Sequence, residues 1–234
     1  MDVDATIIRI EQETPTVKSF LFDLGGIDLP FLPGQWVDLY VETGSSTEVG
    51  GFSITSSPLR HGTMALAVKK LPQGAAATYL HEQAKVGDSF LIRGGSGDFH
   101  YEESWDGPSV LIGGGIGITP LMSILRYLDE TGMNRETLLL YSASTASELV
   151  FLDELQVMAT RNPWLRCVFT VTQPGAGKWD GRVGRIDAEL LREHLPAQDC
   201  LYYLCGPPPM QDDLSSILQG LGVAPSNIKV ERWW

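Results

Sequence analysis

Over the first hundred residues, apolar and polar positions alternate in runs of about six, each of strand length. The runs are "ATIIRI" (5–10), "VKSFLF" (17–22), "WVDLYV" (36–41), "GFSIT" (51–55), "MALAVKK" (64–70) and "FLIRG" (90–94). Gly, Pro and Ser clusters such as "GGIDLPFLPG" and "TGSSTEVGG" separate them. This pattern predicts an antiparallel barrel or sandwich, interrupted by one short helix over 75–83.

Beyond residue 105 the rhythm changes. Buried strands "SVLIGGG", "TLLLYSA", "RCVFTVT", "CLYYLCG" and "NIKVE" now alternate with helical stretches. Leu121, Ile124, Leu125 and Leu128 share one helix face, with Thr119 expected as its N-cap and Pro120 in its first turn. A second helix is expected over 151–160, and a last one with Met210, Leu214, Ile217, Leu218 and Leu221 on one stripe. Alternation of this kind predicts a doubly wound parallel sheet. The expected division is 1–104 and 105–234, with "YEESWDGP" (101–108) as the seam.

Composition narrows the functional classes. The 234 residues carry a net charge of −12, which excludes phosphate-backbone binding as a main activity. No apolar run is long enough to span a bilayer, and "MDVDATIIRI" lacks the layout of a signal peptide. The three cysteines (Cys167, Cys200, Cys205) are too few for a disulfide framework or an iron–sulfur cluster. A reducing cytoplasm is the simplest setting. His61, His81, His100 and His194 show no metal-ligand spacing and read as solvated or capping residues, so no metal site is expected.

Two stretches carry candidate chemistry. "GGGIGITP" (113–120) follows a strand and opens a helix, where glycines let a phosphate approach backbone N–H groups at the helix's positive end. A tight strand–helix turn would need the same glycines. "YLCGPPPM" (203–210) puts a cysteine at the carboxyl end of a parallel strand, where open α/β sheets bind ligands. A buried, inert thiol is the plainer reading. The chain then ends in "KVERWW", an indole pair that either plugs a core or covers a flat cofactor.

In order, "PGQW" (33–36), "GFSITSSP" (51–58), "VKK…G…TYLHE", "GGGIGITP", "CGPPPM" and a terminal Glu-x-aromatic resemble the ferredoxin–NADP reductase superfamily over essentially the whole chain. Within it, the chain looks most similar to the oxidoreductase NAD-binding domain-containing proteins. The resemblance implies a six-stranded flavin-binding barrel followed by a nicotinamide-nucleotide domain, with hydride passing from NAD(P)H to flavin in the cleft between them.

By that resemblance, Phe52, Ser53, Ile54, Thr55, Val68, Lys69, Gly74, Ala75, Ala76, Ala77 and Thr78 contact FAD. Gly114, Gly115, Gly117, Thr119, Pro120, Cys205, Gly206, Pro207 and Met210 contact the nucleotide. Ser53, Cys205 and Glu231 take the catalytic positions. Trp233 falls where the family has an aromatic over the flavin, and Trp234 covers or buttresses it.

Three departures matter. Gly50 stands where most relatives have an arginine that pairs with the flavin pyrophosphate. A charge-assisted bond lost there weakens binding by about 10- to 150-fold, with Lys69, Lys70 and Arg60 as cations at hand to compensate; Gly50→Arg is expected to tighten FAD. Ala77 replaces a common phosphate-loop serine, with Thr78 one step on. "FTVTQP" lacks the Ser-Arg pair used on a 2′-phosphate, which favours NADH over NADPH, although Lys178, Arg182 and Arg185 lie downstream. The stretch "PGAGKWDGR" reads as a mobile loop at the nucleotide edge, its glycines fitting a turn as well as a ligand.

The leading expectation is therefore an NADH-dependent flavin oxidoreductase with an external electron acceptor, its acidic surface favouring a basic partner. A free-flavin reductase and a non-catalytic nucleotide-sensing subunit are the alternatives.

Overall fold

A computed structural model describes residues 1–44, 46–70, 72, 74–175, 179–197 and 199–232. Trp233, Trp234 and Lys178, to which the sequence assigns roles, lie outside the described residues. Two compact units are distinguished: Met1–Tyr101 with Met122–Glu130, and Glu102–Leu121 with Thr131–Trp234.

In the first unit, β1 (Asp2–Thr14), β2 (Val17–Asp23), β3 (Trp36–Thr43), β4 (Ser46–Ser53), β5 (Thr63–Lys69) and β6 (Ser89–Ser96) form one antiparallel sheet, in the order β4-β3-β6-β1-β2-β5. An antiparallel bridge from Ile54, just past β4, to Leu66 of β5 joins the two edge strands. Burial alternates along β3, so Val37, Leu39 and Val41 point inward. They meet Ile7, Phe20, Phe22, Ile54, Met64, Leu66 and Ile92 in one core. The helix α1 (Ala75–Glu82) contributes Ala76, Ala77 and Leu80 to it.

The second unit carries a parallel sheet of β7 (Ser109–Gly114), β8 (Thr137–Ala143), β9 (Leu165–Val171), β10 (Arg182–Val183), β11 (Leu201–Cys205) and β12 (Ile228–Glu231). Its order is β10-β9-β8-β7-β11-β12. Every position of β7, β8 and β11 is buried, as expected of parallel strands covered on both faces. Helices α2 (Ile118–Thr131), α3 (Leu152–Arg161), α4 (Ala188–His194) and α5 (Pro208–Gly220) connect the strands. The chain leaves β7 on one side for β8 and returns on its other side as β11. The topological switch point therefore lies at the carboxyl ends of β7 and β11.

Three local expectations are corrected. A three-residue 3₁₀ turn, Gly115–Gly117, starts α2 earlier than expected, making Gly117 its N-cap. Thr119 is thus inside the first turn, where its hydroxyl donates to the Ile116 carbonyl at 2.9 Å. Pro120 becomes the third helical residue, where a missing N–H costs no intrahelical bond. The strand over 51–55 instead runs Ser46–Ser53, because the polar stretch pairs with β3 in register from Ser46 to Ser53. The end of "PGAGKWDGR" is not all turn, since Arg182 and Val183 add to the edge of β9.

Candidate functional site

In the first unit the candidate residues follow β4. Phe52 and Gly50 point to the same side of the strand, and a Cβ at Gly50 would lie 2.6 Å from the Phe52 ring and 2.9 Å from the Ala76 Cβ. The phenyl ring therefore lies across Gly50 and against α1. An arginine side chain at position 50 would require the Phe52 ring to move. Of the cations named as substitutes, Arg60 pairs with Glu130 at 2.6 Å and Lys70 with Glu82 at 2.9 Å.

Past Ser53 the chain crosses from one sheet edge to the other. The Ile54 N–H donates to the Gln35 carbonyl at 3.0 Å, and the Thr55 N–H to Ala65 at 2.8 Å. From α2, Ser123 Oγ donates to the Ser56 carbonyl at 2.8 Å, and the Arg126 guanidinium to the Thr55 carbonyl at 2.9 Å. Ser53, Thr55, Ser56 and Ser57 are all buried. Within this tightly held stretch, Thr55 Oγ1 is buried with no hydrogen-bond partner among the described residues. A hydroxyl left so costs about 1–3 kcal/mol.

Nearby, α1 begins at Gly74, whose φ of 128° favours glycine, and no side chain caps its first turn. Its leading N–H groups point out of the helix without intrahelical acceptors. His81, expected to be solvated or capping, is half-buried and bonds the Val68 carbonyl through Nε2 at 2.8 Å, which requires the proton on that nitrogen. Burial holds its pKa below the usual value, with Lys18 and Lys70 adding to the effect against the opposing Val68 bond.

In the second unit the glycines of "GGGIGITP" separate by role. A Cβ on Gly117 would lie 2.2 Å from the Cys205 carbonyl oxygen, and one on Gly114 would lie 2.4 Å from Met210 Sδ. Both are required by close approach of β11 and α5. Gly115 differs: its φ is +54° and a Cβ there would meet nothing within 4 Å. It faces open space at the start of α2. Tyr141 fixes this turn, its hydroxyl donating to the Gly115 carbonyl at 3.1 Å and accepting from the Val150 N–H at 3.0 Å. Burial pushes the phenol's pKa well up, so it remains a donor.

Opposite the turn, Cys205 ends β11 and Glu231 ends β12, and the two are paired in register. Both are buried. Pro207 is the N-cap of α5, with proline in its first turn. Gln211, buried in the same turn, donates from Nε2 to the Gly206 carbonyl at 2.8 Å and to the Glu231 carbonyl at 2.6 Å. Desolvation pushes the Cys167 thiol up to about 12 and Cys200 to about 11, so neither offers a thiolate at neutral pH.

Sequence reasoning missed Ser123, Arg126, Tyr141 and Gln211. Gln211 left a signal: with Leu214 and Leu218 it repeats at the 3-4-7 spacing of the apolar stripe, a polar residue where a hydrophobic one belongs.

The described residues suit two cofactors. A flavin nucleotide is suited by the unpartnered Thr55 hydroxyl and the uncapped start of α1. A dinucleotide is suited by the open Gly115 at the switch point. Among them no helix is long and apolar enough to cross a membrane, and no cluster of three metal-ligating side chains occurs.

Residues 4–101 match the oxidoreductase FAD-binding domain, and residues 111–216 the oxidoreductase NAD-binding domain. The chain is 37% identical to oxidoreductase NAD-binding domain-containing protein 1 of Danio rerio, over 98% of this chain and 91% of that protein. It is 30% identical to the glycine betaine monooxygenase reductase subunit of Chromohalobacter salexigens, over 97% of this chain and 62% of that protein. Among solved structures, the flavohem-like FAD/NAD-binding domain of nitric oxide dioxygenase from Vibrio cholerae superposes with a TM-score of 0.90 at 26% identity, covering 99% of this chain and 98% of that one.

Proposed function

The chain belongs to the ferredoxin–NADP reductase superfamily of FAD- and NAD-binding oxidoreductases, and on that premise we propose that it oxidises NADH through FAD and passes electrons to an external acceptor. The observation that carries this reading is the pairing of Cys205 with Glu231 at the carboxyl end of the parallel sheet, beside the open Gly115 turn. A chain that only sensed nucleotide would need the turn but not a buried thiol and a buried carboxylate abreast.

FAD, when bound, supplies a ring that accepts hydride and releases electrons one at a time. The chain's own residues bind and orient. On this reading the leading N–H groups of α1, from Ala75 to Ala77 with Thr78 behind them, hold the flavin phosphates. The Ser53 and Thr55 hydroxyls would be the donors available to polar edges of the ring, and Phe52, Val68 and Lys69 would help to hold it. Gly115 lets the nucleotide pyrophosphate approach the start of α2, while Gly114 and Gly117 keep that turn tight against Gly206 and Met210. On this reading Cys205 excludes water at the nicotinamide side, and Glu231 places a carboxyl group there.

NADH is the preferred donor on this reading. Of the downstream cations, Arg182 is already engaged by Glu193 at 3.2 Å and Asp187 at 3.8 Å, leaving less positive charge for a 2′-phosphate. The net charge of −12 favours a basic acceptor. Three cysteines are too few for a disulfide framework, which fits a reducing compartment such as the cytoplasm.

Gly50 favours a second reading, a reductase that takes flavin as substrate, because Phe52 fills the place where a phosphate-pairing cation would stand. The absorption spectrum of the purified protein separates the possibilities. Yellow protein that bleaches with NADH supports bound FAD. Colourless protein that turns over added flavin supports the second reading. A protein that neither binds flavin nor oxidises NADH is a nucleotide-sensing subunit, and both enzymatic readings fall.

A further inference from the structure

We infer that Gln211 is a positioning residue: its carboxamide clamps the ends of β11 and β12 so that Cys205 and Glu231 stay side by side. Both atoms facing the amide are main-chain carbonyl oxygens, of Gly206 at 2.8 Å and Glu231 at 2.6 Å. Only a donor satisfies them, so the nitrogen must face both and the amide oxygen must face away. That oxygen, Oε1, is buried and has no hydrogen-bond partner among the described residues.

Such an arrangement is costly for a structural filler. Gln211 is 2% exposed on an apolar stripe, where leucine or methionine would bury surface without stranding an acceptor. The chain retains the amide at the one point where two strand ends need a common donor. β12 is a strand of four residues that, among the described residues, stands at the sheet edge and pairs with β11 alone. Its ladder runs out at Glu231, and the Gln211 bond takes over there. The neighbouring residues repeat the tie, Asp212 pairing with Arg232 at 2.8 Å, but both side chains are about half exposed and water screens that pair. The buried amide is the stronger restraint.

The catalytic consequence rests on the oxidoreductase reading; the clamp itself does not. Two variants of the full chain test it. Gln211→Met keeps the volume and removes the donor, and Gln211→Glu keeps the shape and replaces the donor with an acceptor. Hydrogen exchange followed by mass spectrometry is expected to show residues 228–232 exchanging faster in both, with β7 and β8 unchanged. In steady-state NADH oxidation, kcat is expected to fall about 10- to 100-fold, with KM within about twofold of wild type and the flavin spectrum unaltered. Wild-type exchange over 228–232 in both variants overturns the clamp. Faster exchange with kcat and flavin content falling while KM rises overturns the positioning role and leaves a structural one. If the wild type oxidises no NADH, the functional reading falls, and the exchange measurement still decides the clamp.

Discussion

A methyl group added at Gly117 would lie 2.2 Å from the main-chain oxygen of Cys205, whereas one added at Gly50 would lie 2.6 Å from the ring of Phe52. Both distances are forbidden contacts, yet they differ in what can yield. The first obstacle is backbone at the end of β11, a strand buried along its whole length like its neighbour β7, and moving it separates the two. The second is a half-buried side chain with a rotatable bond. The glycines of the second unit therefore set the spacing of a scaffold. The glycine of the first sets the position of one aromatic ring.

Substitutions at Gly117 and Gly115 should show the largest contrast. Gly117→Ala is expected to destabilise the protein by about 3 kcal/mol or more through overpacking. Gly115→Ala meets no atom and costs only its left-handed backbone, about 1–2 kcal/mol, but places a methyl group where a pyrophosphate would approach. Denaturant titration with KM measurements for NADH checks this. Gly117→Ala should lose most stability, and Gly115→Ala should lose affinity out of proportion to its stability. Equal stability losses in the two variants would break the distinction between packing glycine and cradle glycine.

At Gly50 the effect should be smaller and of opposite sign to the sequence-based expectation. Gly50→Arg displaces Phe52, so FAD affinity measured by fluorescence titration should fall, with a stability loss of about 1–3 kcal/mol. Adding Phe52→Ala should recover part of that stability, because the two side chains compete for one space. If Gly50→Arg alone tightens FAD at unchanged stability, the ring swings aside freely and Gly50, unlike Gly117, places no constraint on packing.

These glycines also mark the boundary of what the sequence could disclose. The elements were legible because burial follows the pattern of each strand: β3 alternates, while β7, β8 and β11 are buried throughout and mostly apolar. The ordered motifs then indicated the family. Whether a given glycine serves a ligand or a neighbour was not legible, since Gly117 is constrained by Cys205, far away in sequence, and Gly115 only by its own φ. The start of β4 escaped for a related reason. Its polar residues form a strand only because β3 lies beside them. Tyr141 and Gln211 were hidden by context, as each bonds main-chain atoms that only the fold assembles.

The least of the expected effects concerns pH and falls in the first unit. His81 of α1 bonds the Val68 carbonyl, and burial, helped by Lys18 and Lys70 and opposed by that bond and by Glu82, lowers its pKa below the ordinary value of 6.5. In the unfolded chain the imidazole regains that ordinary value. Above it both states are neutral and the contribution to stability is complete. As pH falls through it, the unfolded chain takes up a proton that the folded one resists, so stability is lost progressively until the folded value is passed. Thermal midpoints from pH 7.5 down to pH 5 should therefore fall more steeply for the wild type than for His81→Gln, which can still donate to Val68 and does not titrate. Parallel curves would mean that titration of His81 contributes nothing to the acid loss of stability.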